Sequence, residues 1–448
     1  MKLTMLPKPD RLDLFAILLL TAIIPAMFGP LLSQGIRGTP TIVPQSDFPP
    51  HSVLAAELRA QRQLMIPHPL YHLVLIGVQC GVEMLGGYHQ TETTKDAIRI
   101  SRGEVDDAVL KEVSYQYRTA AIITNAWFVW LLSLILWIEL RAATGIQTRV
   151  GVLAIVAMVI GLLVLTPVAL FHAMDGRYYF GYIGINVWHN PTVISAKPFV
   201  LLTFLATLAG FPERSELEVK TSIGKIITFA LIVVVGAMAK PSFIMCLLPA
   251  VLLLAICRSV LFGQPVRWVY LGAGLFLPTI GVLAWQSWIY SRYTGGAHAI
   301  FSPLATMSAM SRHLGPKLLL SIVFPVVCYI AWWPTAKSRV RLNLAWLAFI
   351  AGLFLTYFVA ETKRTRHGNF LWSAQLALFV LFVESAIFCI ERARVKKPDA
   401  TYETIKSRRT LACAMAFAAH VIFGLIYDVH LVSTHGDSSW LTASWWYH

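Results

Sequence analysis

The sequence predicts an all-α polytopic membrane protein with about eleven transmembrane helices. Of its 448 residues, 57% are hydrophobic and only 13% are charged, whereas a soluble domain carries about a quarter charged residues. The mean hydropathy is +0.64. Apolar runs long enough to cross the hydrocarbon layer of a bilayer, which takes about 20 residues, recur along the whole chain. These observations place most of the chain in lipid.

Nine of these runs are continuous, and they cover 12–33, 119–141, 150–172, 194–211, 268–289, 317–334, 342–360, 370–390 and 409–427. A further stretch, 223–258, is interrupted by Lys240-Pro241. Proline disfavours helix at the residue before it, so this dipeptide predicts a tight turn between two shorter helices. The total is then eleven spans.

The orientation follows from the charged connectors. Most Lys and Arg residues lie in short segments that fall on one side of the predicted bundle, and such segments are cytoplasmic. The formal net charge of +14 is therefore a consequence of topology, and no nucleic-acid partner is expected. To keep the later connectors inside, we interpret 69–87 as a helix at the outer surface.

This topology puts the N-terminus in the cytoplasm. It makes 34–118 a large first extracytoplasmic loop that carries juxtamembrane helices, one of them an amphipathic helix over 52–64. It also makes 428–448 an extracytoplasmic tail. The expected location is a bacterial inner membrane, and residues 1–448 are expected to form a single membrane domain.

The sequence has no cysteine motif and no nucleotide-binding motif, so several functional classes have no support. The six cysteines include no CxxC pair and no metal-ligand spacing, so neither a disulfide framework nor a thiolate metal site is indicated. The chain also lacks a Walker loop and a dinucleotide fingerprint, which leaves ATP-driven or NAD-dependent chemistry without a sequence signal.

Asp47 is the first candidate catalytic residue. It stands before Phe48-Pro49-Pro50, and prolines favour a stiff, extended segment. A carboxylate held in this way suits a general base. By residue type alone, however, a turn or a helix cap is the simpler interpretation of Asp47.

The second outer segment, 172–192, is rich in aromatic and glycine residues. Interfacial anchoring explains its tyrosines and tryptophan, but it does not explain the hydrogen-bonding side chains between them. A polar substrate does. The candidate substrate-binding residues here are Asp175, Tyr178, Tyr179, Trp188, His189 and Asn190, with Arg177 as a candidate phosphate ligand.

The third outer segment, 361–372, breaks the charge rule, because basic residues stand on the expected outer side. Arg and Lys bind phosphate, so Lys363, Arg364 and Arg366 are candidate ligands of a lipid phosphate. Glu361, His367 and Asn369 are candidate substrate contacts beside them. The alternative is a surface cluster that pairs with Glu361 and with bulk phospholipid headgroups.

The first loop also contains His51, His68 and His72. Of these, His51 and His72 are candidate substrate-binding residues. The three histidines have no tight metal-ligand spacing. The sequence leaves open whether a divalent cation is shared between them and Asp47, and no other cofactor is indicated.

Together these elements resemble the GT-C superfamily of integral-membrane glycosyltransferases. Asp47 matches the acidic residue that this family carries in its first outer loop. The stretch "PHPLYHLVLIGV" from Pro67 resembles the family's surface helix, and "FVWLLSLILWIELRAATG" resembles its second span. The architectural resemblance covers most of the chain, and it implies that residues 1–448 form a single GT-C-like membrane domain. Many relatives carry an acidic pair or a D-x-D in this loop, whereas Asp47 stands alone.

The resemblance implies an inverting glycosyltransferase that uses a polyprenyl-phosphate-linked sugar. Asp47 would take a proton from the acceptor hydroxyl, and Lys363, Arg364, Arg366 or Arg177 would stabilise the departing phosphate. The acceptor would be an envelope glycan, lipid or protein, and the protein would contact membrane lipid.

Two other functions remain open. A polymerase or ligase of lipid-linked oligosaccharides shares the helical body, but its active loop usually comes late in the chain. A transporter or flippase typically shows internal repeats and charges near the bilayer midplane. In this sequence, Glu384 is the main charge within a span.

Overall fold

The computed structural model describes residues 10–36, 47–62, 64, 66–87, 107–145, 148–170, 181–186, 188–213, 221–293, 298–362, 368–396, 402–404 and 407–433. Over these residues the regular structure is almost entirely helical, with only four three-residue strands. The coarse prediction of an all-α polytopic membrane protein is therefore confirmed.

The helices are numbered in chain order. The first eight are α1 (Arg11–Ile36), α2 (Phe48–Gln61), α3 (Leu70–Met84), α4 (Asp107–Thr144), α5 (Arg149–Val164), α6 (Pro191–Leu208), α7 (Ile223–Ala239) and α8 (Ser242–Ile256). The others are α9 (Trp268–Leu271), α10 (Leu277–Tyr293), α11 (Ala305–Met310), α12 (Leu314–Ser321), α13 (Val323–Ala331), α14 (Trp333–Ala336), α15 (Val340–Phe358), α16 (Leu371–Arg392) and α17 (Arg408–Ser433). Two π-helical turns, Cys257–Leu261 and Gly272–Phe276, extend α8 and join α9 to α10.

Within the described ranges, eight helical segments are long and apolar enough to cross a membrane. They are Arg11–Ser33, Val109–Thr144, Pro191–Leu208, Ser242–Leu261, Trp268–Arg292, Val340–Phe358, Leu371–Arg392 and Arg408–Ser433. The pair α12 and α13, bent by 62°, makes a ninth if it forms one span. The two remaining predicted spans correspond to α5 and α7, which have 16 and 17 residues. The predicted count of eleven is thus not established by helix length.

Side-chain caps explain where several helices begin. Thr148 Oγ1 accepts a hydrogen bond from the backbone N–H of Gly151 at 3.2 Å, before α5. Ser222 Oγ accepts one from the backbone N–H of Lys225 at 3.4 Å, before α7. Each bond satisfies one of the N–H groups that a helix leaves unpaired in its first turn.

The helix α16 is the centre of the bundle, and its side chains from Ser373 to Phe388 are all buried. The helix α6 is also buried along most of its length. The helices α4 and α15 pack against α16, α1 packs against α4, and α17 packs against α5 and α13. Each of these four helices exposes apolar side chains on its outer side. This arrangement suits a bundle whose solvent is lipid.

Two pairs of short antiparallel strands lie in the connections between helices. The strand β1 (Ala299–Phe301) pairs with β2 (Val359–Glu361), with Ala299 opposite Glu361. The strand β3 (Arg394–Lys396) pairs with β4 (Tyr402–Thr404). The β1–β2 pair ties the segment after α10 to the end of α15.

Several predicted boundaries of the outer segments differ from the structure. The helix α4 begins at Asp107 and continues through the second span as one helix of 38 residues, so the end of the predicted loop 34–118 is part of it. The surface helix predicted over 69–87 is α3, whose 15 residues are fewer than a span needs. The predicted tail starts inside α17, because Asp428 lies within that helix.

The helix α2 also differs from the predicted amphipathic surface helix. Ser52, Ala55, Ala56 and Glu57 are buried along with Val53, because α2 packs between α3 and α4. Both faces of this helix therefore contact protein over most of its length.

Candidate active site

Four segments that are distant in the sequence meet near the start of α6. The backbone N–H of Asp47 donates to the carbonyl oxygen of His189 at 2.9 Å. Lys240 Nζ donates to Thr192 Oγ1 at 3.0 Å, and the same Nζ lies 5.2 Å from the ring centroid of Trp372. The site thus combines the starts of α2, α6 and α16 with the break between α7 and α8.

Asp47 occupies the N-cap position of α2, but its side chain does not cap the helix. A capping carboxylate normally accepts from the N–H of the second or third helical residue. Here those residues are Pro49 and Pro50, which have no N–H. The carboxylate is left available for another partner. The prediction of an extended segment was wrong, because Phe48, Pro49 and Pro50 form the first helical turn, which the fixed φ of proline favours.

That partner is the side chain of Asn190. Its Nδ2 donates to Asp47 Oδ2 at 2.5 Å. Its Oδ1 accepts from the backbone N–H of Val193 at 3.1 Å and from Thr192 Oγ1 at 2.7 Å. Because a backbone N–H can only donate, the amide oxygen must face Val193 and the amide nitrogen must face Asp47. Asn190 is therefore both the cap of α6 and the donor that orients Asp47.

Lys240 supplies a positive charge at this site. Its backbone is extended, with φ −166° and ψ 124°, at the end of α7. Burial lowers the pKa of its ammonium group to about 8, and the negative charge of Asp47 opposes that shift. Together with Thr192 and Asn190 it completes a chain of hydrogen bonds from the ammonium to the carboxylate. The sequence indicates Lys240 only as part of a helix break. The signal for a site residue is a lysine inside an otherwise apolar run.

The histidines of the first loop form a pair beside this network. His51 Nδ1 lies 2.9 Å from His72 Nε2, so the two rings share one hydrogen bond. Burial lowers the pKa of His72 to about 3 and holds the pKa of His51 well below its usual value. Both imidazoles are therefore neutral at pH 7. Within the described part of the chain, no third acidic, histidine or cysteine ligand completes a metal site with them.

His189 lies between Asp47 and the start of α16. Its ring centroid is 5.7 Å from that of Trp372. Burial lowers the pKa of His189, while the charge of Asp47 acts to raise it. Among the predicted substrate-binding residues, His189 and Asn190 are brought to Asp47 from a distant part of the chain, and His51 lies one turn after Asp47, with its backbone N–H bonded to the Asp47 carbonyl oxygen at 3.2 Å.

Trp188 has a different environment from the one we expected. Its side chain is buried, packs against Phe28 at 4.8 Å between ring centroids, and donates from Nε1 to Asp428 Oδ1 at 3.0 Å. In this position the ring of Trp188 joins α1 and α17 to the loop before α6. Its contact with a substrate stays a prediction.

Glu361 and Asn369 line a small pocket at the end of α15, together with Thr306 and Thr356. Glu361 Oε2 is buried and has no hydrogen-bond partner among the described residues, and Asn369 is exposed. The remaining predicted site residues lie outside the residues that the structure describes: Asp175, Arg177, Tyr178, Tyr179, Lys363, Arg364, Arg366 and His367.

The network combines a carboxylate that can accept a proton with a cation that can bind an anionic group. Asp47 is half-buried, and in the described part of the structure its Oδ1 makes no hydrogen bond, while Oδ2 is held by Asn190. A carboxylate with one fixed and one unoccupied oxygen can accept a proton. Lys240 provides a buried cation within the same hydrogen-bonded network.

Comparisons with known proteins add no relative to this picture. No protein-family model, no curated protein and no solved structure matches the chain. The functional interpretation therefore depends on the geometry of the Asp47 network and on the residues themselves.

Proposed function

We propose that the chain is an inverting glycosyltransferase of the GT-C type, which moves a sugar from a polyprenyl-phosphate donor to an acceptor hydroxyl. The observation that supports this function best is the state of Asp47. Asn190 holds one carboxylate oxygen at 2.5 Å, and the other is unoccupied among the described residues. This is the arrangement that a positioned general base requires.

The proposed step uses Asp47 and Lys240 together. Asp47 Oδ1 takes the proton of the acceptor hydroxyl as its oxygen forms a bond to the anomeric carbon of the sugar. The bond from that carbon to the phosphate oxygen breaks, and the phosphate leaves with the electron pair. A fixed positive charge stabilises this departing group more than it stabilises the bound donor. Lys240 supplies such a charge, and Lys363, Arg364, Arg366 and Arg177 remain proposed phosphate ligands.

The proposed setting is the outer face of a bacterial inner membrane. Because the donor is lipid-linked, its phosphate and sugar would lie at the end of the bundle, close to lipid. The acceptor belongs to the envelope: a glycan, a lipid or a protein. In this proposal the N-terminus is cytoplasmic and α17 ends on the extracytoplasmic side.

Mass spectrometry of envelope glycans and lipid-linked sugars tests this function. The strains are wild type, a deletion, Asp47→Asn, and Asp10→Asn at matched expression. Asp10 is the control because it is an exposed carboxylate that pairs with Arg141, away from the site. We expect the deletion and Asp47→Asn to lose the same one-sugar mass while the donor lipid accumulates. Removal of a base costs about a hundred- to ten-thousandfold in rate. Normal glycans in Asp47→Asn would refute the proposal.

A transporter or flippase is the second candidate, because the spans contain more charge away from water than the sequence indicated. Lys197, in α6, is buried and donates to Asn186 Oδ1, and Asp428 is half-buried in α17. Ionisable groups within membrane spans often mark transport pathways. This function predicts that Lys197→Met blocks movement of a lipid-linked sugar across the membrane while Asp47→Asn does not.

A polymerase or ligase would instead change the length distribution of the glycan.

A further inference from the structure

Three cysteines from three helices meet inside the bundle, although they are far apart in the sequence. Cys328 lies on α13, Cys389 on α16 and Cys413 on α17, and their Sγ atoms all lie within 4.8 Å of one another. Cys328 and Cys413 are fully buried. The sequence indicated no thiolate site because a spacing motif detects only ligands that are close in the chain.

The sulfur positions fit a three-coordinate metal ion. A metal–thiolate bond is about 2.3 Å long, so three sulfurs in a plane around one ion lie about 4.0 Å apart. The observed limit of 4.8 Å allows this geometry after shifts of less than about 1 Å. A disulfide requires two of the sulfurs to approach to about 2.05 Å, which is a larger movement and leaves the third cysteine unused.

The surroundings favour a soft ion of low charge. Phe324, one turn before Cys328, has its ring centroid 5.6 Å from that of Phe382 and 5.2 Å from that of Phe417. This aromatic layer gives the cluster an apolar boundary. Within the described residues, no fourth Cys, His, Asp or Glu joins it, whereas structural Zn²⁺ takes four ligands. Thiolates are soft ligands that select soft ions such as Cu(I).

The cluster is partly exposed at one of its three members. Cys389 is half-buried and lies three residues before Arg392, the last residue of α16. Trp372 and the Asp47 network are at the other end of the same helix, about 25 Å away at 1.5 Å per residue. An ion entering beside Cys389 would therefore not pass through the candidate active site.

From this geometry we infer that Cys328, Cys389 and Cys413 form a three-coordinate site for a soft monovalent cation, Cu(I). Binding of one Cu(I) by three thiolates releases three protons, one from each thiol, and the oxidation state of copper does not change. The site ties α13, α16 and α17 together and does not depend on the proposed transferase function.

Competition for Cu(I) against a chromophoric chelator tests this inference on the full chain, purified in detergent under reducing conditions. We expect one Cu(I) per chain, and X-ray absorption with three sulfur neighbours at about 2.3 Å. Loss of an outer-shell partner alone weakens metal sites 10- to 100-fold, so Cys328→Ser, Cys389→Ser and Cys413→Ser should each weaken binding at least about a hundredfold. Cys257→Ser is the matched control, because Cys257 lies outside the cluster, and it should bind as wild type.

Three results would overturn the inference. One is Cu(I) uptake by wild type no greater than that of the triple serine variant. Another is a preference for Zn²⁺ over Cu(I). The third is a disulfide between two of the three cysteines, detected by mass spectrometry of protein alkylated before reduction. If a serine variant fails to fold, the sulfur coordination measured on wild type decides the question.

Discussion

At the scale of single residues, the prolines after Asp47 leave its carboxylate without the hydrogen bonds that a helix cap normally makes. An aspartate before a helix normally caps it. The prolines at positions 49 and 50 remove the two N–H groups that would hold the carboxylate. The carboxylate then bonds to Asn190, far along the chain. A pair of prolines that starts a helix thereby determines where the candidate base points.

Asn190 should be a positioning residue whose two roles can be separated. Asn190→Ser keeps an oxygen to cap α6 but loses the amide that donates to Asp47, whereas Asn190→Ala loses both. We expect kcat to fall about tenfold in both variants with little change in KM, because the lost bond is charge-assisted. Asn190→Ala should also lose about 1 kcal/mol of stability through the missing cap.

Steady-state kinetics with a lipid-linked sugar and thermal unfolding in detergent measure the two effects of Asn190. Asn343→Ser is the control: Asn343 bonds to Tyr329 on α13, so turnover should be unchanged. Equal kcat in wild type and Asn190→Ser would show that the bond to Asp47 has no role in turnover.

Lys240 gives the site a predictable pH dependence. Its pKa of about 8 means that the ammonium is charged at pH 7 and mostly neutral at pH 9. If Lys240 binds the donor phosphate, affinity should fall about tenfold over this range, the value of one charged hydrogen bond. Lys240→Arg, which stays charged, should show a flatter profile.

The sign of the stability effect makes this test of Lys240 specific. The unfolded lysine has a pKa of about 10.4, so between pH 8 and 10.4 the unfolded chain binds more protons than the folded one. The contribution of Lys240 to stability therefore rises with pH while phosphate binding weakens. Calorimetric titration of the donor lipid at pH 7 and 9 measures the affinity. No loss of affinity at pH 9 would remove Lys240 from the phosphate site.

At the scale of elements, the close approach of two helices requires glycine at the point of contact. A Cβ added at Gly424 in α17 would overlap the carbonyl oxygen of Val164, at the end of α5. Backbone is the neighbour here, so no side chain can move aside. Membrane helices often approach each other at such small residues.

Gly424→Ala should therefore destabilise the bundle by about 1–3 kcal/mol, the usual cost of overpacking. Gly281→Ala in α10 is the matched control, because a Cβ there meets nothing within 4 Å. It should be neutral or slightly stabilising, since alanine favours helix more than glycine does. Unfolding curves in detergent compare the two. Equal stability of both variants would mean that α17 shifts away from α5 at no cost.

The elements were largely predictable from the sequence, and the site was only partly so. Hydrophobic runs located the long helices, and the proline after Lys240 located the break between α7 and α8. Asp47, His189 and Asn190 were predicted as site residues and do lie together. Lys240 and Thr192 were missed because tertiary packing brings them there. The cysteine cluster was missed for the same reason.

At the scale of the whole molecule, a second charged network holds three helices together away from the candidate active site. Arg341 on α15 donates to Glu139 of α4 at 2.9 Å and to Glu384 of α16 at 2.7 and 2.8 Å. Both carboxylates are almost fully buried. Glu384, the main charge that the sequence places within a span, is thus one of two carboxylates that share the cation of Arg341.

Removal of Arg341 should be much more costly than removal of its neighbour Arg339. Arg341→Met leaves two buried carboxylates without their cation, and breaking a buried pair costs about 3–5 kcal/mol. Arg339 pairs with Glu391 where both side chains are substantially exposed, and such pairs contribute about 0–1 kcal/mol. The matched variant Arg339→Met should therefore unfold near the wild-type midpoint.

Denaturant titration of purified wild type, Arg341→Met and Arg339→Met measures this difference. A third variant, Arg341→Met with Glu139→Gln and Glu384→Gln, removes all three charges and should recover part of the lost stability, since neutral amides cost less to bury than unpaired carboxylates. If Arg341→Met is as stable as Arg339→Met, water must reach Glu139 and Glu384. These carboxylates would then line a hydrated path through the bundle, and the transporter function would gain support over the transferase.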